Sequence, residues 1–240
     1  MRSKYSRIVW SGALALLLAV MTGLAQAGPK PLPTNSHAFG EGYAELTADW
    51  LEWVVAIPAA VNPLLDDDGS DAAVGQSGKV WFLVGNTTGG VTTRTVTVPT
   101  GKALFFPIVN FFWVNTPEFG DTPWSPDQEA WVRDYLAETV DTAQNLVLEI
   151  DGQSVPNLSG LRVSGAVGAC MIPPDDNIFF LVPPFYVWAP GPHECVADGY
   201  WALLPPLSAG HHTIHFAGGF AISGFSLDVT YNITVRGGKK

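Results

Sequence analysis

From Phe225 to Val235 the chain reads FSLDVTYNITV, with apolar and polar residues in strict alternation over eleven positions. On an extended backbone successive side chains point to opposite faces. Phe225, Leu227, Val229, Tyr231, Ile233 and Val235 therefore face one way, and Ser226, Asp228, Thr230, Asn232 and Thr234 the other. This is the pattern of a half-buried antiparallel strand, with one face on a core and one in water.

The same period recurs in HHTIHF (211–216) and TRTVTVP (93–99). VWFLVG (80–85) and ALFFPIVNFFWV (103–114) are apolar runs closed by turn residues. LVLEI (146–150), the Asp151-Gly152 turn and QSV read as a hairpin. Residues 156–206 are rich in proline, which cannot donate to a ladder, so central strands there are expected to be short. Within them, VADGYWALLPPL (196–207) reads as a strand bounded by Pro205 and Pro206.

Two helices interrupt the strands. Thr47 is placed to cap a helix carrying Trp50, Leu51, Trp53, Val54 and Ile57, stopped by Pro58. Ser125, Pro126 and Gln128 form a capping box with proline at the first helical position, opening a helix to about Thr142. Trp131, Tyr135, Leu136 and Val140 fall roughly on one face of it. The fold expected is mainly β: an antiparallel β-sandwich or jelly-roll-like single domain with two helical elaborations. It spans 46–240, after an extended lead-in over 28–45 rich in Pro and Gly.

Ahead of the lead-in, Met1–Ala27 has Arg2, Lys4 and Arg7, then an apolar run from Ile8, then Ala25-Gln26-Ala27. A positive start, a short apolar stretch and an A-x-A site make a secretory signal peptide, cleaved before Gly28. No cysteine follows for lipid attachment, and YNITVRGGKK is no hydrophobic tail, so no membrane anchor is expected after cleavage. The expected location is periplasmic or extracellular. In that setting Cys170 and Cys195 are expected to pair, in place of acting as a reactive thiol pair, which lacks C-x-x-C spacing. The formal net charge is −10, and cleavage removes three of the twelve basic residues. Such a surface repels nucleic acid and anionic membranes, so neither is an expected partner.

Several constellations invite a chemical reading. His211, His212 and His215 suggest a metal, but on a strand His211 and His215 stand roughly 13 Å apart, too far to share one ion readily. Pairing the last two strands through residues 217–224 sets His215 near Ser226, with Asp228 on a diagonal. A base oriented by a carboxylate is then the functional reading, and a solvated polar face the structural one. Asp66, Asp68 and Asp71 lie in the run DDDGSD (66–71), whose carboxylates suit calcium but lack EF-hand spacing; no other cofactor is expected. Ser77, in GQSGK, lacks the second glycine of a nucleophile elbow and reads as a turn residue. Glu52, Glu118, Glu129, Glu149 and Glu194 are glycosidase carboxylates by type only.

The chain holds 9 Trp, 13 Phe and 6 Tyr. Most are expected in the core. Trp113, Trp124, Trp188, Tyr200 and Trp201 lie in or beside segments rich in Pro and Gly, where exposed rings could stack on sugars.

TADWLEW, NPLLDDDG, GQSGKVWFLVG, VPTGKALFFPIVN, VADGYWALLPPLSAGHHTIHFAGG and FSLDVTYNITV together resemble a family of uncharacterised exported bacterial proteins. The resemblance spans nearly the whole chain after the leader. It implies an envelope or extracellular setting and brings no reaction, so no catalytic residue transfers. The function expected is that of an exported soluble binding protein for carbohydrate or another extracellular polymer. The alternatives are a secreted hydrolase or metal-dependent enzyme using the His211–His215 strand, and a structural envelope protein.

Overall fold

The alternating C-terminal segment is the strand Phe225–Arg236, and it lies at the heart of one of two sheets. The computed structural model describes residues 28–115, 123–181 and 190–237. The leader 1–27, Glu118 and Trp188 lie outside the described residues. The strands are β1 (Val80–Phe82), β2 (Gly90–Pro99), β3 (Ala103–Val114), β4 (Ala143–Ile150), β5 (Gln153–Ser154), β6 (Arg162–Ser164), β7 (Gly168–Ile172), β8 (Gly191–Leu204), β9 (Gly210–Phe220) and β10 (Phe225–Arg236); the helices are α1 (Tyr43–Ala56) and α2 (Pro126–Val140). One sheet runs β1-β3-β8-β6, with β7 also on β8; the other runs β2-β10-β9-β4-β5.

The architecture is a mainly β sandwich, as the alternation implies, but its sheets are mixed rather than purely antiparallel. β1 runs parallel to β3, and β2 parallel to β10. The Pro99–Lys102 turn is the reason. It does not fold β3 back onto β2 but carries the chain into the other sheet, so β2 takes a partner from the far end of the chain. The two sequences differ accordingly. β2 alternates because one of its faces is wet, whereas β3 is apolar at every position but Asn110 because both of its faces are covered.

One cover is the other sheet. Leu104, Phe106, Ile108, Ala202 and Leu204 meet Val96, Ile214, Phe216, Val229 and Ile233 in the core between the sheets. The opposite cover is α1, whose Tyr43, Leu46, Trp50, Leu51 and Val54 pack on Phe105, Ala197, Trp201 and Leu203. Trp201 is fully buried there, stacked on Phe105 at 5.3 Å and edge-on to Trp50 at 5.3 Å. α2 packs on β3 and β8 of the first sheet, with Val132 and Leu136 against Val196.

Four local expectations change. First, α1 begins at Tyr43, not at a Thr47 cap. Thr47 is buried inside the helix and donates to the Tyr43 carbonyl at 2.8 Å, because its side chain packs on Gly165. Second, α2 has the expected capping box at Ser125 and Gln128, yet it turns Val132, Leu136 and Val140 inward. Trp131 and Tyr135 are left 47% and 39% exposed, stacked on each other at 5.5 Å.

Third, β8 is a fourteen-residue central strand, since its prolines sit near its start and just past its end. Fourth, β9 continues to Phe220, so the β9–β10 turn is shorter than residues 217–224. Gly219 permits this: a Cβ there would stand 2.3 Å from the Phe225 carbonyl oxygen. Cys170 and Cys195 form the expected disulfide, with Cα atoms 5.8 Å apart.

Candidate functional site

A concave site lies where one flank of α1 meets the segment 75–82, and it encloses about 780 Å³. Helical spacing brings Asp49, Glu52, Trp53 and Ala56 to that flank, and Phe39 to Glu41 close one end. The opposite wall is held by Gln76, whose Nε2 donates to the Ala72 and Phe82 carbonyls while its Oε1 accepts from Phe82 N. Trp53 Nε1 donates to the Val74 carbonyl at 3.0 Å. Gly75 has a φ of +67°, and a Cβ there would stand 3.0 Å from the indole nitrogen, so glycine lets this loop lie against the ring. Trp53 and Phe82 place their ring centroids 5.4 Å apart.

Carboxylates give this aromatic cleft its electrostatics. Burial first, then a hydrogen bond to Glu41, then the charges of Glu41, Glu52 and Glu45 push the Asp49 carboxyl up to about 6. Glu52 is tied to the scaffold, its Oε1 accepting from Ala169 N at 2.6 Å. Lys79 also lines the cleft. A concave site with aromatic faces and carboxylate acceptors can stack on sugar rings and bind their hydroxyls. The Asp49–Glu41 hydrogen bond brings two carboxyls closer than the roughly 5–9.5 Å at which paired glycosidase carboxylates work.

The residues singled out from sequence are placed elsewhere. Trp201 is core, and Trp124 is buried beside α2 against Val196. Tyr200 is half-buried on the inter-sheet core. Trp113 does join an aromatic group, with Trp131 at 5.6 Å and Tyr135 at 5.5 Å. The aromatic set chosen from sequence is therefore not one surface among the described residues. Proline- and glycine-rich flanks mark loop boundaries, and ring burial depends on which sheet face each position takes.

His215 stands opposite Thr230, not Ser226. It still meets Asp228 on the diagonal, Nε2 to Oδ1 at 3.0 Å, and Glu149 lies on its other side at 3.5 Å. This row runs across the outer face of the sheet, and His215 does not line the cleft. His211 contacts Thr234, and His212 contacts Asp151.

Asp66 takes part in its own loop. Its oxygens accept from the backbone N–H groups of Asp68, Gly69 and Asp71, each at 2.9 Å. Burial raises its pKa, but the bonds from Asp71, Asp68 and Gly69 outweigh that and hold it below the ordinary carboxylate value. Among the described residues no group of three or more His, Cys, Asp or Glu side chains has the arrangement of a metal site.

Asp49 and Trp53 were missed as site residues because each has an ordinary role in an amphipathic helix. The available signal was the acidic spacing Glu41, Glu45, Asp49, Glu52, one helical turn apart beside a tryptophan.

No family model and no curated protein matches the chain. Among solved structures, the solution structure of Amebosin aligns at 11% identity and a TM-score of 0.18, over 61% of this chain and 96% of that one. A likeness at that score carries no argument about fold or function.

Proposed function

We propose that this chain is an exported binding protein whose acidic aromatic cleft takes carbohydrate. The observation that carries the reading is the joining of Trp53 and Phe82 with Glu41 and Asp49 in one concavity of about 780 Å³. The aromatic faces supply stacking area, and the carboxylates accept from sugar hydroxyls. The charge narrows the class. Acidic glycans are repelled, whereas neutral and amino-bearing glycans are favoured.

Export rests on the leader before Gly28 and on the Cys170–Cys195 disulfide. Mass spectrometry of the protein recovered from a secreting host, with Gly28 as its first residue, tests the cleavage.

A glycan array together with pull-down on insoluble polysaccharides tests the binding reading. Retention on neutral or amino-bearing polymers is expected; failure on all of them would remove carbohydrate from the account. Catalysis at His215 is the second reading, with the Glu149–His215–Asp228 row behind it. It ranks lower because the row lies on a sheet face and does not line the cleft. Calcium at Asp66, Asp68 and Asp71 is tested by the melting temperature with and without millimolar calcium.

A further inference from the structure

A second cavity, separate from the acidic cleft, opens beside an unpaired edge of β3. β1 pairs with Ala103 to Phe105 only, and among the described residues no strand takes that side of β3 from Pro107 to Val114. Pro107 sits where the partner ends, and it has no N–H to leave unpaired. A bulge between Pro107 and Val109 then turns both Ile108 and Val109 into the inter-sheet core, shifting Asn110 and Phe112 toward the α1 side. The space left at this edge encloses about 600 Å³.

Its lining is mostly apolar, with Asn86, Thr87, Thr139 and Ser223 among it, and draws on both faces of the sheet: Trp50 and Phe112 from one side, Phe111, Tyr135, Phe220 and Phe225 from the other. Tyr135 joins it to the ring group of Trp113 and Trp131, so the apolar surface continues outward along α2. Within this lining the amide of Asn110 stands out. Its Nδ2 is buried and has no hydrogen-bond partner among the described residues. Leaving such a donor unsatisfied costs about 1–3 kcal/mol. The atom has no accessible surface, so a χ2 rotation of Asn110, which lines the cavity, precedes its relief by a ligand acceptor. Glu138, exposed at the rim, disfavours an anionic head.

We propose that this cavity is a binding site for a neutral apolar molecule carrying a carbonyl, such as a ketone or ester, with the carbonyl oxygen accepting from Asn110 Nδ2. The volume falls within the roughly 300–1,000 Å³ of small-molecule sites. The aromatic walls take the hydrocarbon body and the Asn110 amide fixes its orientation, since the other lining amide, Asn86, already donates to the Gly90 carbonyl and Thr92 Oγ1.

Fluorescence titration of the folded protein with two neutral probes tests this. Prodan is a naphthalene ketone; N-phenylnaphthylamine has a similar body and no carbonyl. Both are expected to bind saturably with blue-shifted emission. Asn110→Leu is expected to weaken Prodan about tenfold, the worth of one hydrogen bond, and to leave N-phenylnaphthylamine unchanged. Thr139→Trp, which fills the cavity from α2, is expected to abolish both without changing the circular dichroism spectrum. It serves as the second variant if Asn110→Leu does not fold. Absence of saturable Prodan binding, equal losses for both probes in Asn110→Leu, or binding that survives Thr139→Trp would overturn the proposal.

Discussion

The protonated Asp49 carboxyl donates a hydrogen bond to Glu41, and the pair shares a cleft with Glu52. Burial and these neighbours hold the Asp49 pKa at about 6 against an ordinary 3.8. The folded state therefore binds a proton that the unfolded chain has released between about pH 4 and 6, so this group lowers stability as pH rises through that window. Asp49→Asn is expected to raise stability at pH 7.5 by on the order of 1 kcal/mol, after allowance for solvent screening. The gain disappears near pH 4. Urea unfolding of both proteins at the two pH values checks this.

Arg94 is the most buried arginine among the described residues, 1% exposed within β2. Its Nε donates to the Asp66 carbonyl at 2.6 Å, and its Nη1 to the Val84 and Gly85 carbonyls. The guanidinium also lies 5.6 Å from the Tyr231 ring centre. It ties the acidic loop and the segment after β1 to the second sheet. Arg94→Met strands these acceptors, and a loss of roughly 3 kcal/mol or more is expected in denaturant unfolding. Arg94→Lys is expected to recover only part, since an ammonium cannot span a forked set of acceptors.

The Cys170–Cys195 bridge closes a separation of 25 residues. Its removal in a double alanine variant is expected to cost about 3 kcal/mol. Alkylation of the denatured protein, with and without prior reduction, checks that the bond is present: two alkyl groups should add only after reduction.

The His215–Asp228 contact at 3.0 Å joins partly exposed groups across a sheet face. Asp228→Asn is expected to change stability by less than about 0.5 kcal/mol. It should also leave glycan retention unchanged, because neither residue lines the cleft. A loss of retention in this variant would move the site to the outer face of β9 and β10.

Periodicity was legible wherever one face of an element meets water. β10, the polar and apolar faces of β9, the Asp151-Gly152 hairpin and the capping box of α2 all follow from local pattern. Pairing was less legible. The β9–β10 register depends on a glycine tolerating contact with Phe225, and the parallel β2–β10 pair depends on where the chain crosses between sheets. Arg94 reads as one more inward position of an alternating strand until the carbonyls around it are known. The cleft was the least legible part. Its walls come from α1 and from a loop whose approach depends on Gly75 and Gln76, and no local pattern announces that meeting.

Retention of the protein on chitosan and on a neutral polysaccharide, for wild type, Trp53→Leu and Glu41→Gln, tests the central claim most directly. The account predicts that wild type is retained on at least one of these polymers. Trp53→Leu should lose at least about tenfold in affinity through the lost ring stacking. Glu41→Gln, an exposed change that leaves the core untouched, should weaken the amino-bearing polymer more than the neutral one. Retention that is absent in wild type, or the same in all three proteins, would contradict it.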